Sequence, residues 1–170
     1  REMDDFSRGF HDWYTLNIRN PHHWLISTRK LVDPRWEAPR GAALSLEIET
    51  THANNILSVE LKTDTWRSYT RRKAETWSAL VSLNKTGRQK VELSTRDFTN
   101  ASGESMSDWY GITELIFQAG AKSKHSPTPI QRWKAEVPQF HDLRWVDGEP
   151  IRRPKPFMPL DSETRNSDEP

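Results

Sequence analysis

Residues 43–63 constrain the fold more than any other stretch, because apolar and polar side chains alternate there with a period of two. In the first half, Leu44, Leu46 and Ile48 fall on one side and Ser45, Glu47 and Glu49 on the other. The stretch Thr50 to Asn55 supplies turn-forming residues, after which Leu57, Val59 and Leu61 alternate with Ser58, Glu60 and Lys62. A strand with one buried face has this pattern, whereas a surface helix repeats its apolar residues every three to four positions. The two segments are expected to pair as a hairpin.

The same reasoning extends along the chain. Trp77, Ala79, Val81 and Leu83 share one face of an expected strand over Thr76 to Leu83, and Lys85-Thr86-Gly87 turns the chain into Gln89 to Ser94, where Val91 and Leu93 point inward. Ile112 to Phe117, Trp133 to Val137 and Phe140 to Val146 have strand composition, the last two separated by Pro138, which cannot donate to a ladder. Upstream, Trp13 to Ile18 and Trp24 to Leu31 read as strands joined through Asn20-Pro21. No long stretch carries apolar residues at helical spacing, which argues against an α/β architecture with crossover helices. The expected fold is an all-β, antiparallel two-sheet β-sandwich of jelly-roll type. Its core is expected to hold Leu44, Leu46, Ile48, Leu57, Val59, Leu61, Val81, Val91, Leu93, Leu115 and Phe117.

The sandwich is expected to occupy residues 1–146. Residues 147–170 change character, with prolines at 150, 154, 156, 159 and 170 and a polar finish, and read as a linker or a strap. Phe157, Met158 and Leu160 are its candidate anchors in a surface groove. With Arg1 at the start, the chain is read as a processed or excised portion of a larger protein, tethered to other domains.

Composition removes several function classes. Lysine and arginine (25) nearly balance aspartate and glutamate (24), so no global field steers the chain to nucleic acid or an anionic membrane. Its apolar runs are only a few residues long, far short of a bilayer-crossing helix. The absence of cysteine removes disulfides, thiolate metal sites and cysteine nucleophiles. There is no GxSxG, P-loop, glycine-rich dinucleotide turn or HExxH motif, and the six histidines have no zinc-ligand spacing. Asn84-Lys85-Thr86 and Asn100-Ala101-Ser102 match the glycosylation sequon, a short pattern that also arises by chance.

The segments ALSLEIET, ILSVELKT, TWSALVSL, GRQKVELSTRDF, DWYGITELIFQAG and FHDLRWVDGE follow one another between Ala43 and Glu149. In this order they resemble the galactose-binding-like β-sandwich superfamily, especially its carbohydrate-binding modules and the related domain of complex I intermediate-associated proteins. The N-terminal residues 1–40 lie outside the resemblance. It implies either glycan binding or the stabilisation of protein complexes. It also implies a structural calcium near the chain termini, for which Asp4, Asp5, Asp12, Asp142 and Glu149 offer hard oxygen ligands. Solvated surface acids are the competing reading, and no other cofactor is expected.

Eight tryptophans are many for a chain that is only 34% apolar, and such side chains serve either packing or ligand stacking. The leading ligand candidate is the segment containing Trp66, Arg67, Tyr69, Arg71 and Arg72. Flat rings stack on the apolar faces of sugars while guanidinium groups reach hydroxyl or acidic groups, which favours an acidic or sulfated polysaccharide. The competing reading is an exposed basic loop whose tryptophan packs under its own turn. Trp36, between Pro34 and Pro39, and Trp133 are further candidates for the same platform. Asp97-Phe98 and Asp108-Trp109 are expected to serve structure, each acid capping a turn and each ring plugging an end of the sandwich.

The function expected from these features is non-catalytic binding of a polysaccharide or oligosaccharide, with an extracytoplasmic or secreted location. One alternative is a protein-interaction sandwich whose tryptophans form a partner interface. A second is a fragment of a glycoside hydrolase or polysaccharide lyase, which would require carboxylates such as Glu47, Glu49 and Glu60 on one sheet face.

Overall fold

A computed structural model describes residues 1–19, 21–63, 74–120 and 132–150. Among them run nine strands: β1 (Glu2–Asp4), β2 (Tyr14–Leu16), β3 (Leu25–Thr28), β4 (Ala43–Thr50), β5 (Asn55–Thr63), β6 (Glu75–Leu83), β7 (Gly87–Leu93), β8 (Ile112–Ala119) and β9 (Gln139–Val146). They form two antiparallel sheets, one of four strands in the order β1-β9-β4-β7 and one of five in the order β2-β3-β8-β5-β6. The sheets pack face to face as a sandwich, as the alternation requires when each sheet has one apolar face to hide.

The expected core is present. Leu44, Leu46, Ile48, Leu57, Val59, Leu61, Val91, Leu93, Leu115 and Phe117 are buried, and Val81 is half-buried against them. Aromatic rings complete it at both ends. Near the finish of β4, Phe140 meets Phe6, Phe10, Phe117 and Trp24, and Trp24 meets Trp133 edge-on at 5.2 Å. Near its start, Phe98 and Trp145 flank Trp109 at 5.7 and 5.0 Å. Here Asp97 accepts the Ser94 amide and Asp108 accepts the Tyr110 amide, so both acid–aromatic pairs do the structural work expected of them.

Two strand expectations are corrected. The segments β4 and β5 are not a hairpin: β4 pairs with β7 and β9, and β5 with β6 and β8, so residues 51–54 arch from one sheet to the other. Both strands have a single apolar face, and period two is equally satisfied by strands side by side or opposed across the core. Residues 84–86 likewise change sheets.

Trp133 to Val137 is not a strand. Asn55, 1% exposed, donates to the Lys134 carbonyl and accepts the Lys134 amide, both at 2.9 Å, which consumes the groups a ladder would need. Ala135 then takes a positive φ of 68°, and the Trp133 indole closes the turn on the Glu136 carbonyl at 2.8 Å. Strand β1, which the sequence reading did not include, lies along β9, with its Glu2 opposite Arg144.

Candidate functional site

The outer face of the four-stranded sheet is a lattice of paired charges. Glu47 receives two hydrogen bonds from the Arg88 guanidinium, at 2.9 and 3.3 Å, and Asp142 receives two from Arg144, at 2.6 and 2.9 Å. Register puts Glu47 directly opposite Asp142 on β9 and Lys90 on β7. A bulge in β9 at this point presents His141, whose Nε2 lies 3.0 Å from Glu49 Oε1. Arg88 holds the Glu47 carboxyl below its ordinary value, outweighing the opposing effects of partial burial and of Asp142. A general acid needs the opposite shift.

Glu60 belongs to the other sheet, on the outer side of β5, where it pairs in register with Ile116 and Ser78. The requirement that Glu47, Glu49 and Glu60 share one face is therefore not met, because alternation within each strand cannot reveal that β4 and β5 lie in different sheets.

The five carboxylates considered for calcium do not form one cluster. Asp4 is a latch: its Oδ1 accepts the Phe6 amide at 2.8 Å and its Oδ2 the Trp13 indole at 2.7 Å. Lys30 lies between Asp4 and Asp12, at 3.6 and 3.4 Å, and occupies with an ammonium the place a cation would take. Asp5 accepts the Ser7 amide, Asp142 is held by Arg144, and the Glu149 amide donates to the Arg40 carbonyl. Among the described residues no three metal-ligating side chains come together.

The segment containing Trp66, Arg67, Tyr69, Arg71 and Arg72 lies outside the described residues. Trp133 is a core residue, 1% exposed and packed against Trp24, and so offers no face to a ligand. Its indole needs an acceptor, and the turn beneath it provides one, which is why a tryptophan beside a loop became core. Trp13, Trp24, Trp77, Trp109 and Trp145 are buried as well, so among the described tryptophans only Trp36 is not fully buried.

Trp36 helps to line a cleft of 240 Å³ at the end of the sandwich where β4 begins. Residues 31–38 form one wall, Trp109 to Ile112 another, and Trp145 contributes from β9. Asp33 sets the first wall by accepting the Arg35 amide at the start of a short 3-10 turn, Pro34–Trp36. The polar atoms of the tryptophans behind it are spent: Trp145 Nε1 donates to the Trp36 carbonyl and Trp109 Nε1 to the Ala42 carbonyl, both at 2.9 Å. Lys30 Nζ sits 5.4 Å from the Trp36 ring centroid and caps it. Aliphatic and aromatic surface dominates what remains.

A second depression, of 320 Å³, is chemically different. It lies at the outer face of the five-stranded sheet and is lined by Asp12, Tyr14, Ser27, Thr28, Arg29 and Glu114. Tyr14 stands directly opposite Ser27, and Ser27 opposite Ile116, which puts the Tyr14 ring, the Ser27 hydroxyl and Glu114 on one surface. The Tyr14 side of this surface is open, the residue being 63% exposed. Apart from Asp12, proposed above as a metal ligand, the sequence reading missed these residues. The available signals were an outward tyrosine next to inward Trp13 and a lone carboxylate, Glu114, in the apolar run ITELIFQA.

Comparison of the chain with protein-family models, with curated proteins and with solved structures gave no match.

Proposed function

We propose that this chain is a non-catalytic carbohydrate-binding β-sandwich, a module of a larger extracytoplasmic protein, and that the Tyr14 depression is its sugar site. The observation that carries the reading is the chemical composition of that depression. A sugar ring presents an apolar C–H face and a rim of hydroxyls; the exposed Tyr14 ring suits the first, and the Asp12 and Glu114 carboxylates, the Arg29 guanidinium and the Ser27 hydroxyl suit the second. A volume of 320 Å³ falls at the lower end of the range for small-molecule sites, about 300–1,000 Å³.

Lys30 pairs with Asp12, which leaves the Glu114 carboxylate balanced by the Arg29 guanidinium and favours a neutral, hydroxyl-rich glycan at this position. The expected preference for acidic polysaccharide rests on Arg67, Arg71 and Arg72 and would belong to that separate segment. The strand order also supports the reading. The order β1-β9-β4-β7 set against β3-β8-β5-β6 is compatible with a jelly roll, the architecture of many carbohydrate-binding modules and of the superfamily that residues 43–149 resemble.

The test is a glycan array probed with the intact chain, followed by titration of any hit against Tyr14→Ala and Glu114→Gln. Both variants should weaken binding at least tenfold with little change in thermal midpoint, because Tyr14 is exposed and neither residue is in the core. Binding that survives both changes but is lost in Trp66→Ala would move the site to residues 64–73. An array without hits, together with a stable protein partner for the same chain, would replace the sugar reading with the protein-interaction one.

A further inference from the structure

The cleft at Trp36 lacks what a sugar needs and has what an apolar peptide segment needs. The indole donors of Trp109 and Trp145 are already bonded within the protein, and the cleft walls present Leu31, Pro34, Trp36, Tyr110 and Ile112. Grooves lined by aromatic rings and proline accept extended, proline-rich peptides, which arrive already in their bound conformation and lose little entropy on docking.

The chain itself supplies such a peptide next to the cleft. Trp145, near the end of β9, lines the cleft, and four residues later the Glu149 amide bonds to the Arg40 carbonyl at 2.8 Å. Gly148 between them lies so close to residue 42 that a Cβ would come within 2.8 Å of the Ala42 nitrogen. The outgoing chain is thus pinned against the segment that continues from the cleft wall. Beyond Pro150 the sequence runs Ile-Arg-Arg-Pro-Lys-Pro-Phe-Met-Pro-Leu, then turns polar to its end at Pro170.

We infer that the Trp36 cleft is the docking site of the chain's own segment Pro154–Leu160, with Phe157 and Met158 as its apolar anchors. Reach allows this: Phe157 lies eight positions beyond Glu149, about 25 Å at the polyproline rise. Charge favours it, because Glu37 lines the cleft and Asp108 precedes Trp109, while Arg152, Arg153 and Lys155 accompany the anchors. The cations beside the cleft are already paired, Arg35 with Asp33 at 2.7 Å and Lys30, over the Trp36 ring, with Asp4 and Asp12. A tether this short gives an effective concentration on the order of millimolar, so a contact too weak to hold a free peptide is populated within one chain. The docked segment would strap the end of the sandwich and leave the Tyr14 depression open, so this inference and the sugar site stand or fall separately.

The absence of cysteine makes a direct test possible in the full chain. One variant carries Ala38→Cys in the cleft wall with Asp161→Cys just past the anchors. A control carries Arg96→Cys, an exposed position at the same end of the sandwich beyond β7, with the same Asp161→Cys. Under mild oxidation the cleft pair should close its disulfide at least tenfold faster than the control, at a rate independent of protein concentration, and adding Phe157→Asp should remove that advantage. Equal rates in the two pairs, or an advantage that survives Phe157→Asp, would overturn the inference. Closure that accelerates in proportion to protein concentration would also overturn it and assign the cleft to the tail of a second copy.

Discussion

Trp24 and Trp133 pack edge-on in the same aromatic cluster and are equally buried, yet the same substitution should affect them differently. Each is 1% exposed. The Trp133 Nε1 donates to the Glu136 carbonyl at 2.8 Å, whereas Trp24 Nε1 is buried with no hydrogen-bond partner among the described residues. Tryptophan to phenylalanine removes a similar volume at both sites, costing about 1–2 kcal/mol in lost burial and residual cavity. At Trp133 the change also removes a hydrogen bond and strands the Glu136 carbonyl, adding about 1–2 kcal/mol. At Trp24 it removes a desolvated donor that had no partner, returning about 1–3 kcal/mol. Trp24→Phe should therefore be close to neutral and Trp133→Phe should cost about 2–4 kcal/mol. Urea unfolding of both variants with a shared slope measures the difference directly. Equal losses would refute the argument and show that the Trp24 indole is satisfied after all, for example by a buried water.

Two further outcomes follow from the ion pairs and the N-terminal latch. Arg88 depresses the folded-state pKa of Glu47, so the pair adds stability above the ordinary glutamate value of 4.5 and loses it as pH falls through the depressed value. Glu47→Gln should consequently show a smaller fall in thermal midpoint than the wild type between pH 6 and pH 3, with an unchanged or larger fall counting against the pair. Asp4→Ala, which strands the Phe6 amide and the Trp13 indole, should cost about 1–3 kcal/mol, whereas Asp5→Ala, which frees only the exposed Ser7 amide, should leave stability nearly unchanged by the same urea measurement.

The parts of the fold that were legible in the sequence are those fixed by one strand at a time. Leu44, Leu46 and Ile48 announce an inward face whatever lies beside them, and so do Leu57, Val59 and Leu61. Which strand lies beside them is a long-range matter, and the turn-like residues 51–54 suit an arch between sheets as well as a hairpin. Trp133 shows the same limit: its neighbours have strand composition, but two hydrogen bonds that the backbone of Lys134 exchanges with Asn55, 79 positions away, decide the local course of the chain. The Tyr14 depression was illegible because β2 and β3 are only three and four residues long, too short to establish a period. Its members also come from three separate stretches, residues 12–14, 27–29 and 114, which meet only once β3 has paired with β8.

The two outer faces of the sandwich differ in a way that bears on which of them meets a ligand. The four-stranded face is what solvation alone would select: Glu47, Arg88, Lys90, Asp142 and Arg144 alternate in sign, and exposed pairs of this kind contribute little to stability. The five-stranded face has another composition. One cross-strand row reads Tyr14, Ser27, Ile116, Glu60 and Ser78, and the next Leu16, Leu25, Gln118, Ser58 and Leu80. Tyr14, Leu16 and Leu80 are 63%, 45% and 58% exposed at the margins, while Ser27 and Ser58 are buried between them. Between these margins the two rows hold Ser27, Ile116 and Glu60, then Leu25, Gln118 and Ser58, a mixture of apolar, hydroxyl and amide groups in place of alternating charge. Under the proposed function, such a mixed strip between apolar margins suits an extended ligand that alternates C–H faces with hydroxyls, and the Tyr14 depression lies at its β2 end. A glycan of several residues should therefore bind more tightly than a single sugar, and Leu80→Ala should weaken the long ligand while leaving the short one unchanged. Equal effects on both lengths, measured by calorimetry, would confine the site to the depression itself.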